Sequence, residues 1–174
     1  DAQLSTMRRG YTIGEYRTLV DKLRTAIPDL ALSTDIITGF CGETEEDFRL
    51  TYELMEEIRF DSAFMFKYSQ REGTYAAKQM PDDVPEEVKG ERLQQVIKLQ
   101  ERISGEVNTQ CIGKTYPVLV AGLSRRKAKD GHERYFGRSP QNKTVIFPQP
   151  TEPNSLVEVF IESNTSHTLF GDKV

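Results

Sequence analysis

The period of the sequence changes near residue 110, and no single regular layer accommodates both parts. Before that point helical and strand patterns alternate. From Gly113 onward there are only short strand patterns separated by turn residues: "KTYPVLVAGL", "RYFGRS", "KTVIF", "LVEVFIE" and "TSHTLFG". Alternating helices and strands call for parallel pairing through crossover connections. A run of short strands without helices calls for a small closed or nearly closed barrel. The chain therefore reads as an α/β unit over residues 1–110 followed by an all-β unit over residues 111–174.

In the first unit "TIGEYRTLVDKLRTAIP" is a helix. Thr12 and Glu15 stand at capping-box spacing, Tyr16, Leu19, Val20, Leu23 and Ile27 share a face, and Pro28 ends it. "LALSTDII" follows as a buried strand. "TEEDFRLTYELMEEIR" is a second helix, capped by Thr44, with Glu45, Glu46 and Asp47 at its positive end. Phe48, Tyr52 and Met55 form its inner stripe. "DSAFMFKY" is a second strand, with Phe64, Phe66 and Tyr68 alternating with Met65 and Lys67. "SQREGTYAAKQMPDDVP" is a loop. Pro85 then opens a long helix reaching about Gln110, with Leu93, Val96, Ile97, Ile103 and Val107 as its apolar side. In the second unit Val157, Val159 and Ile161 alternate with Glu158, Phe160 and Glu162.

Hydrophobic residues make up 37% of the 174 and charged residues 29%, which supports packed cores and excludes wholesale disorder. The formal net charge is −4. No apolar run approaches the roughly 20 residues of a membrane span. "DAQLSTMRRGYT" has no apolar signal-peptide core. A cytoplasmic protein without a membrane partner is expected. Asp1 leads directly into a polar segment, so a fragment of a longer chain is expected. The two cysteines, Cys41 and Cys111, form no CxxC pair and are too few for a disulfide scaffold. No metal site is expected within the chain. His132 and His167 have no carboxylate or cysteine at ligand spacing.

Three stretches carry polar groups where chemistry is possible. "STDIITGFCGETEEDF" is a strand-to-helix turn, the place where parallel α/β folds bind ligands. Gly39 and Gly42 would let backbone approach a ligand there, although a tight turn with a capped helix needs the same residues. "KYSQREGT" ends the second strand with Lys67, Tyr68, Ser69 and Arg71, and Arg71 has the fork geometry for a carboxylate or phosphate. "MRRGYT" places Arg8 and Arg9 before the first helix, as an anion site or a solvated pair. In the second unit "SRRKAKDGHERYFGRSPQNK" interleaves Arg125, Arg126, Lys127, Lys129, Arg134, Arg138 and Lys143 with Tyr135 and Phe136. That is the composition of a single-stranded RNA surface, or of a charged hairpin.

"MRRGYT", "STDIITGFCGETEEDF", "FDSAFMFKYSQREGTYAAKQMPDDVPEEVKGERL" and "CIGKTYPVLVAGLSRR" stand in an order and at distances that resemble the radical S-adenosylmethionine methylthiotransferase family. The resemblance covers essentially the whole chain and is nearest the branch acting on N6-dimethylallyladenosine in tRNA. It implies the C-terminal part of a radical S-adenosylmethionine partial (β/α) barrel, followed by a TRAM domain, a small RNA-binding β-barrel. The implied activity adds a methylthio group at an aromatic C–H beside the anticodon. That carbon is unactivated, so a cofactor must supply radical chemistry.

The implied cofactors are S-adenosyl-L-methionine and two 4Fe-4S clusters, one of them on a CxxxCxxC motif. Neither set of cluster cysteines is in this sequence, so the chain alone is expected to be inactive. Cys41 stands where the family commonly has proline in a "GFPGE" turn. Implied cofactor contacts are Gly39, Gly42, Tyr68, Ser69 and Arg71, and implied substrate contacts are Arg8, Arg9 and Lys67. Arg125, Arg126, Lys127, Arg138 and Lys143 form the implied RNA surface. Expected partners are tRNA and donors of sulfur and electrons; oligomeric state is left open. A sibling enzyme acting on threonylcarbamoyladenosine or a ribosomal protein, and a non-catalytic RNA-binding module, remain alternatives.

Overall fold

Two threonines start the main helices of the N-terminal unit by the same device in the computed structural model, which describes residues 1–124, 131 and 133–174. A one-turn helix α1 (Ala2–Thr6) precedes α2 (Ile13–Ala26). The Thr12 hydroxyl accepts the Glu15 amide at 3.3 Å, and the Glu15 carboxylate accepts the Thr12 amide at 2.7 Å. Thr44 and Asp47 repeat this reciprocal cap at the start of α3 (Glu45–Ile58). Each cap satisfies amides that the first helical turn leaves without partners. Arg59, in a left-handed conformation at φ 55°, closes α3.

Strands β1 (Ser33–Thr38) and β2 (Ser62–Lys67) flank α3 and pair in parallel, Ser33 with Ser62 through Thr38 with Lys67. This is the expected crossover unit. The Tyr68 amide extends the ladder to the Thr38 carbonyl at 2.8 Å. Paired residues of a parallel ladder share a face. Thr34 and Ile36 therefore lie with Ala63 and Met65 on the better covered side. Asp35 and Ile37 lie with Phe64 and Phe66 on the other, where Phe64 is 64% and Phe66 54% exposed. The expectation of a buried first strand is corrected: with two strands, one sheet face stays open. The core holds Val20 of α2 and Phe48, Met55 and Ile58 of α3.

The stretch expected as loop before the long helix contains a short helix, α4 (Tyr75–Gln79), started by the Thr74 hydroxyl on the Ala77 amide. The long helix α5 spans Glu86–Thr109. Its buried positions differ from the apolar stripe read in the sequence. Leu93, Ile97 and Val107 are only half-buried, whereas Lys89, Arg92, Gln100 and Asn108 are buried with Val96 and Leu99. Buried polar side chains require partners, and each of these four has one.

The chain divides into two compact units, Asp1–Gln100 and Glu101–Val174. In the second, β3 (Thr115–Leu123), β4 (Tyr135–Arg138), β5 (Thr144–Phe147), β6 (Leu156–Asn164) and β7 (Thr168–Lys173) form a closed barrel in the order β3-β4-β5-β7-β6. Every neighbouring pair is antiparallel except β5 with β7. Val118, Val120, Val145, Phe147, Val159, Ile161 and Leu169 fill the interior with Cys111. The alternation read in β6 is the barrel's inside and outside: Val159 and Ile161 are buried, Glu158 and Glu162 exposed.

Closure brings backbones into contact. A Cβ at Gly171 would stand 1.9 Å from the Phe160 carbonyl oxygen, where only hydrogen fits. Gly171→Ala is expected to lower stability by about 1–3 kcal/mol, the usual cost of overpacking. Chemical denaturation followed by circular dichroism measures it; a variant as stable as the parent contradicts the closed barrel at this strand pair.

Candidate functional site

The turn after β1 is shaped by the carboxylates around it. Gly39 has φ +73° and Gly42 φ +72°, in the region glycine alone enters freely. The Gly39 amide donates to Glu43 Oε1 at 2.8 Å and the Gly42 amide to Asp83 Oδ1 at 2.7 Å. Beneath the turn, Arg92 donates from Nη1 to the Glu43 carboxylate at 2.8 Å and to the Glu43 carbonyl at 3.1 Å, and from Nη2 to Glu45 at 3.0 Å. Burial pushes the Glu43 carboxyl above its ordinary value, while the Gly39 amide and the Arg92 guanidinium pull it back. Lys89, 2% exposed, pairs with Asp82 at 2.5 Å.

A pocket of about 480 Å³ lies on the open side of the two-stranded sheet. The segment after α1 supplies Met7, Arg8 and Arg9. The strand ends supply Ile37 and Phe40, then Phe66, Lys67, Tyr68 and Ser69. The loop and first turn of α4 supply Arg71, Thr74, Tyr75 and Ala76. Sequence motifs almost 60 positions apart thus meet in one place: Arg8, Arg9, Lys67, Tyr68, Ser69 and Arg71 all line it. Gly39 and Gly42 do not. They flank Phe40 and Cys41 in the adjoining turn, and their amides are already committed to Glu43 and Asp83.

The pocket is cationic on an apolar floor. Arg8 takes a left-handed backbone at φ 58° and lays its guanidinium 3.6 Å from the Tyr75 ring centroid. Arg9 and Arg71 are exposed and enter no ion pair among the described residues. Lys67 pairs with Glu86. Phe40 meets Tyr68 edge to face with ring centroids 4.9 Å apart. The Tyr68 hydroxyl is buried and makes no directed hydrogen bond; the Cys41 thiol is its polar neighbour. Burial first, then that thiol, pushes the Tyr68 phenol up to about 12, so it remains a protonated donor at neutral pH.

In the second unit Arg138 and Lys143 are tethered. Arg138 Nη1 donates to the Asn142 carbonyl at 3.0 Å and to the Thr144 hydroxyl at 2.8 Å. Lys143 Nζ donates to Asn108 Oδ1 at 3.0 Å, and Asn108 in turn donates to the carbonyls of Thr165 and Ser166. Arg125, Arg126 and Lys127 lie outside the described residues, as does His132. Among the described residues no group of three or more His, Cys, Asp and Glu is placed to hold a metal ion, and no helix is long and apolar enough to cross a membrane.

The family model for the TRAM domain matches residues 109–174. Curated relatives match the whole length. A tRNA-2-methylthio-N(6)-dimethylallyladenosine synthase from Porphyromonas gingivalis W83 is 51% identical over 175 residues, covering 100% of this chain and 37% of its own. Synthases of the same name from Chlorobium phaeobacteroides and Bacteroides thetaiotaomicron are 50% and 48% identical over 97% and 98% of this chain, again 37% of their own length. The chain is similar to these synthases along its whole length. It spans little more than a third of the relatives' length.

Sequence reasoning missed part of the pocket and all of its support. Tyr75, Phe66 and Ile37 line the pocket without having been singled out. Ile37 and Phe66 read as ordinary strand apolar residues, and only the missing sheet cover leaves them open. Lys89 and Arg92 were not singled out in the sequence at all. Their spacing of three, on the same helix face as Val96, was the available signal.

Arg92→Leu is expected to cost about 3–5 kcal/mol, because it leaves the Glu43 carboxylate buried without its cation. Adding Glu43→Gln should recover much of that loss. With Arg92 gone, the folded Glu43 carboxyl rises further above its ordinary 4.5. A raised folded value favours the protonated form, so stability falls as pH rises through it. The deficit of Arg92→Leu should therefore shrink as pH approaches 4.5. Urea denaturation at several pH values checks both statements; a pH-independent deficit refutes the pairing argument.

Proposed function

We propose that this chain is the C-terminal part of a tRNA methylthiotransferase that adds a methylthio group to N6-dimethylallyladenosine beside the anticodon. The observation that carries the reading is sequence identity near one half along the entire chain, through both units, to synthases of that name. The dimethylallyladenosine substrate rests on the relatives' names and on the "FMFKYSQREGTYAAKQMPDDVPEEV" segment.

The pocket suits S-adenosyl-L-methionine in its donor set. The cofactor offers a carboxylate, an aromatic base and a sulfonium. Arg71 and Arg9 supply unpaired guanidinium groups for the carboxylate, and Ile37, Phe40 and Phe66 supply apolar surface for the base. Ser69 adds a hydroxyl at the strand end and Tyr68 the side of its ring. Gly39 and Gly42 would act through the turn beside the pocket, with their amides engaged by Glu43 and Asp83. Arg8, Arg9 and Lys67 at the rim would meet the RNA substrate. When bound, S-adenosyl-L-methionine supplies the methyl group and the radical chemistry that an unactivated aromatic C–H requires. This chain's part is to bind, orient and partly enclose the reactants.

Iron–sulfur clusters do not fit the cysteines present. Cys41 is buried in the first unit and Cys111 in the barrel core of the second. The two 4Fe-4S clusters are assigned to the part of the enzyme outside the match, as are the contacts with sulfur and electron donors. The chain by itself is then inactive. The TRAM unit is the tRNA-holding part, through Arg125, Arg126, Lys127, Arg138 and Lys143. A cytoplasmic location accompanies a tRNA substrate.

Arg71→Ala in the full-length enzyme is expected to leave the melting temperature and cluster content unchanged. Turnover or cofactor affinity should fall about tenfold or more, the loss of one charge-assisted contact. Arg71→Lys should restore only part, having charge without the planar fork. Normal methylthiolation by a folded Arg71→Ala enzyme removes Arg71 from the site.

Reversing Arg125 and Arg126 to Glu should weaken binding of a tRNA anticodon stem-loop. The parent's affinity should itself fall steeply with salt through counterion release. Filter binding across a salt series reads both. Unchanged binding by the charge-reversed variant excludes this stretch from the RNA surface.

A further inference from the structure

Lys89 sits where the two strand ends and the loop before α5 converge, and it touches all three. Its side chain is 2% exposed, a rare state for lysine. The stem occupies the space a Cβ at Gly39 would need, with Cγ 2.2 Å from that position. Its carbonyl faces the buried Thr38 hydroxyl at 3.4 Å. Its ammonium lies 2.5 Å from Asp82 and 5.3 Å from the Tyr68 ring centroid. Glu86 is the further carboxylate within reach, at 3.9 Å, and also holds Lys67.

We propose that Lys89 is a positioning residue for the cofactor pocket, locking the Gly39 turn, the Tyr68 strand end and the Asp82 loop in one arrangement. The proposal rests on the reading of that pocket as the S-adenosyl-L-methionine site. Lys89 does not line the pocket, so it acts through Tyr68 and the turn. Loss of the ammonium need not unfold the unit, because its partner Asp82 is 30% exposed and can regain water. What the ammonium adds is direction: it fixes Asp82 and the Tyr68 ring relative to each other. The Gly39 contact explains why that glycine is needed apart from any ligand. Any side chain there would displace the lysine stem.

The test uses the full-length enzyme, with S-adenosyl-L-homocysteine as probe in calorimetric titration and thermal melting alongside. Lys89→Met keeps the stem volume, and the freed Asp82, whose side chain is 30% exposed, can rehydrate. Its affinity for the probe should fall about tenfold, since small displacements of positioning groups cost this much or more. The melting temperature should move by only a few degrees. Asp82→Asn, which opens no cavity and leaves the Lys89 ammonium Glu86 at 3.9 Å, should shift affinity in the same direction. It decides the matter alone if Lys89→Met does not fold. Arg17→Ala, which removes the surface pair with Glu57, should change nothing.

Wild-type affinity in folded Lys89→Met and Asp82→Asn overturns the proposal. So does a loss of affinity that merely tracks a loss of melting temperature in both variants. If Arg71→Ala weakens the probe while these two are silent, only the positioning role falls. If the parent does not bind the probe at all, the reading of the pocket falls with it.

Discussion

The buried pair between Arg92 and Glu43 is the interaction on which the N-terminal unit's working edge depends. Moving two charges out of water is costly, and the cost is offset only when geometry is good and further hydrogen bonds serve the charged groups; Arg92 meets this through Nη1 and Nη2, while its buried Nε has no hydrogen-bond partner. Here the guanidinium serves the Glu43 carboxylate, the Glu43 carbonyl and Glu45, while the same carboxylate receives the Gly39 amide. The backbone of the strand-to-helix turn is thus written into an ion pair with a helix almost 50 residues later. The turn's shape is set by α5, not by its own sequence alone.

That arrangement explains why the pocket is both open and ordered. Among the described residues of this chain, one face of the two-stranded sheet has no helix over it, and Phe64 and Phe66 there are exposed. In most settings such a face invites association. Here it is ringed by cations: Arg8 stacked on Tyr75, Lys67 held by Glu86, and Arg9 and Arg71 left without carboxylate partners among the described residues. An apolar floor with a cationic rim is the chemistry of a site for an aromatic ligand that carries an anionic group such as a carboxylate.

The second unit solves a different problem. A small barrel has no uncovered sheet edge, and its stability comes from one short interior of valine, isoleucine, leucine and phenylalanine. Closure demands glycine where strands cross closely, as at Gly171 against Phe160. The end of α5 is fastened to this unit through Asn108, which bridges the β6–β7 turn and Lys143. Lys143 therefore carries structure as well as charge.

The sequence by itself determined what depends on local period and local chemistry. The capping box at Thr12, the cap at Thr44, the parallel crossover and the five barrel strands were legible, because each is set by neighbours within a few residues; that Asp47 closes a second capping box was not. So were the polar motifs Arg8–Arg9 and Lys67–Arg71, through their residue types and their place after a strand. The two short helices α1 and α4 were not, being too brief for a periodic signal. Tertiary structure alone decided that β1 is half-exposed, that the motifs meet in one pocket, and that Lys89 and Arg92 turn inward. A charge on a helix reads as solvent-facing unless its partner is known. The partners here, Asp82 and Glu43, are fixed by packing between segments that local sequence does not connect.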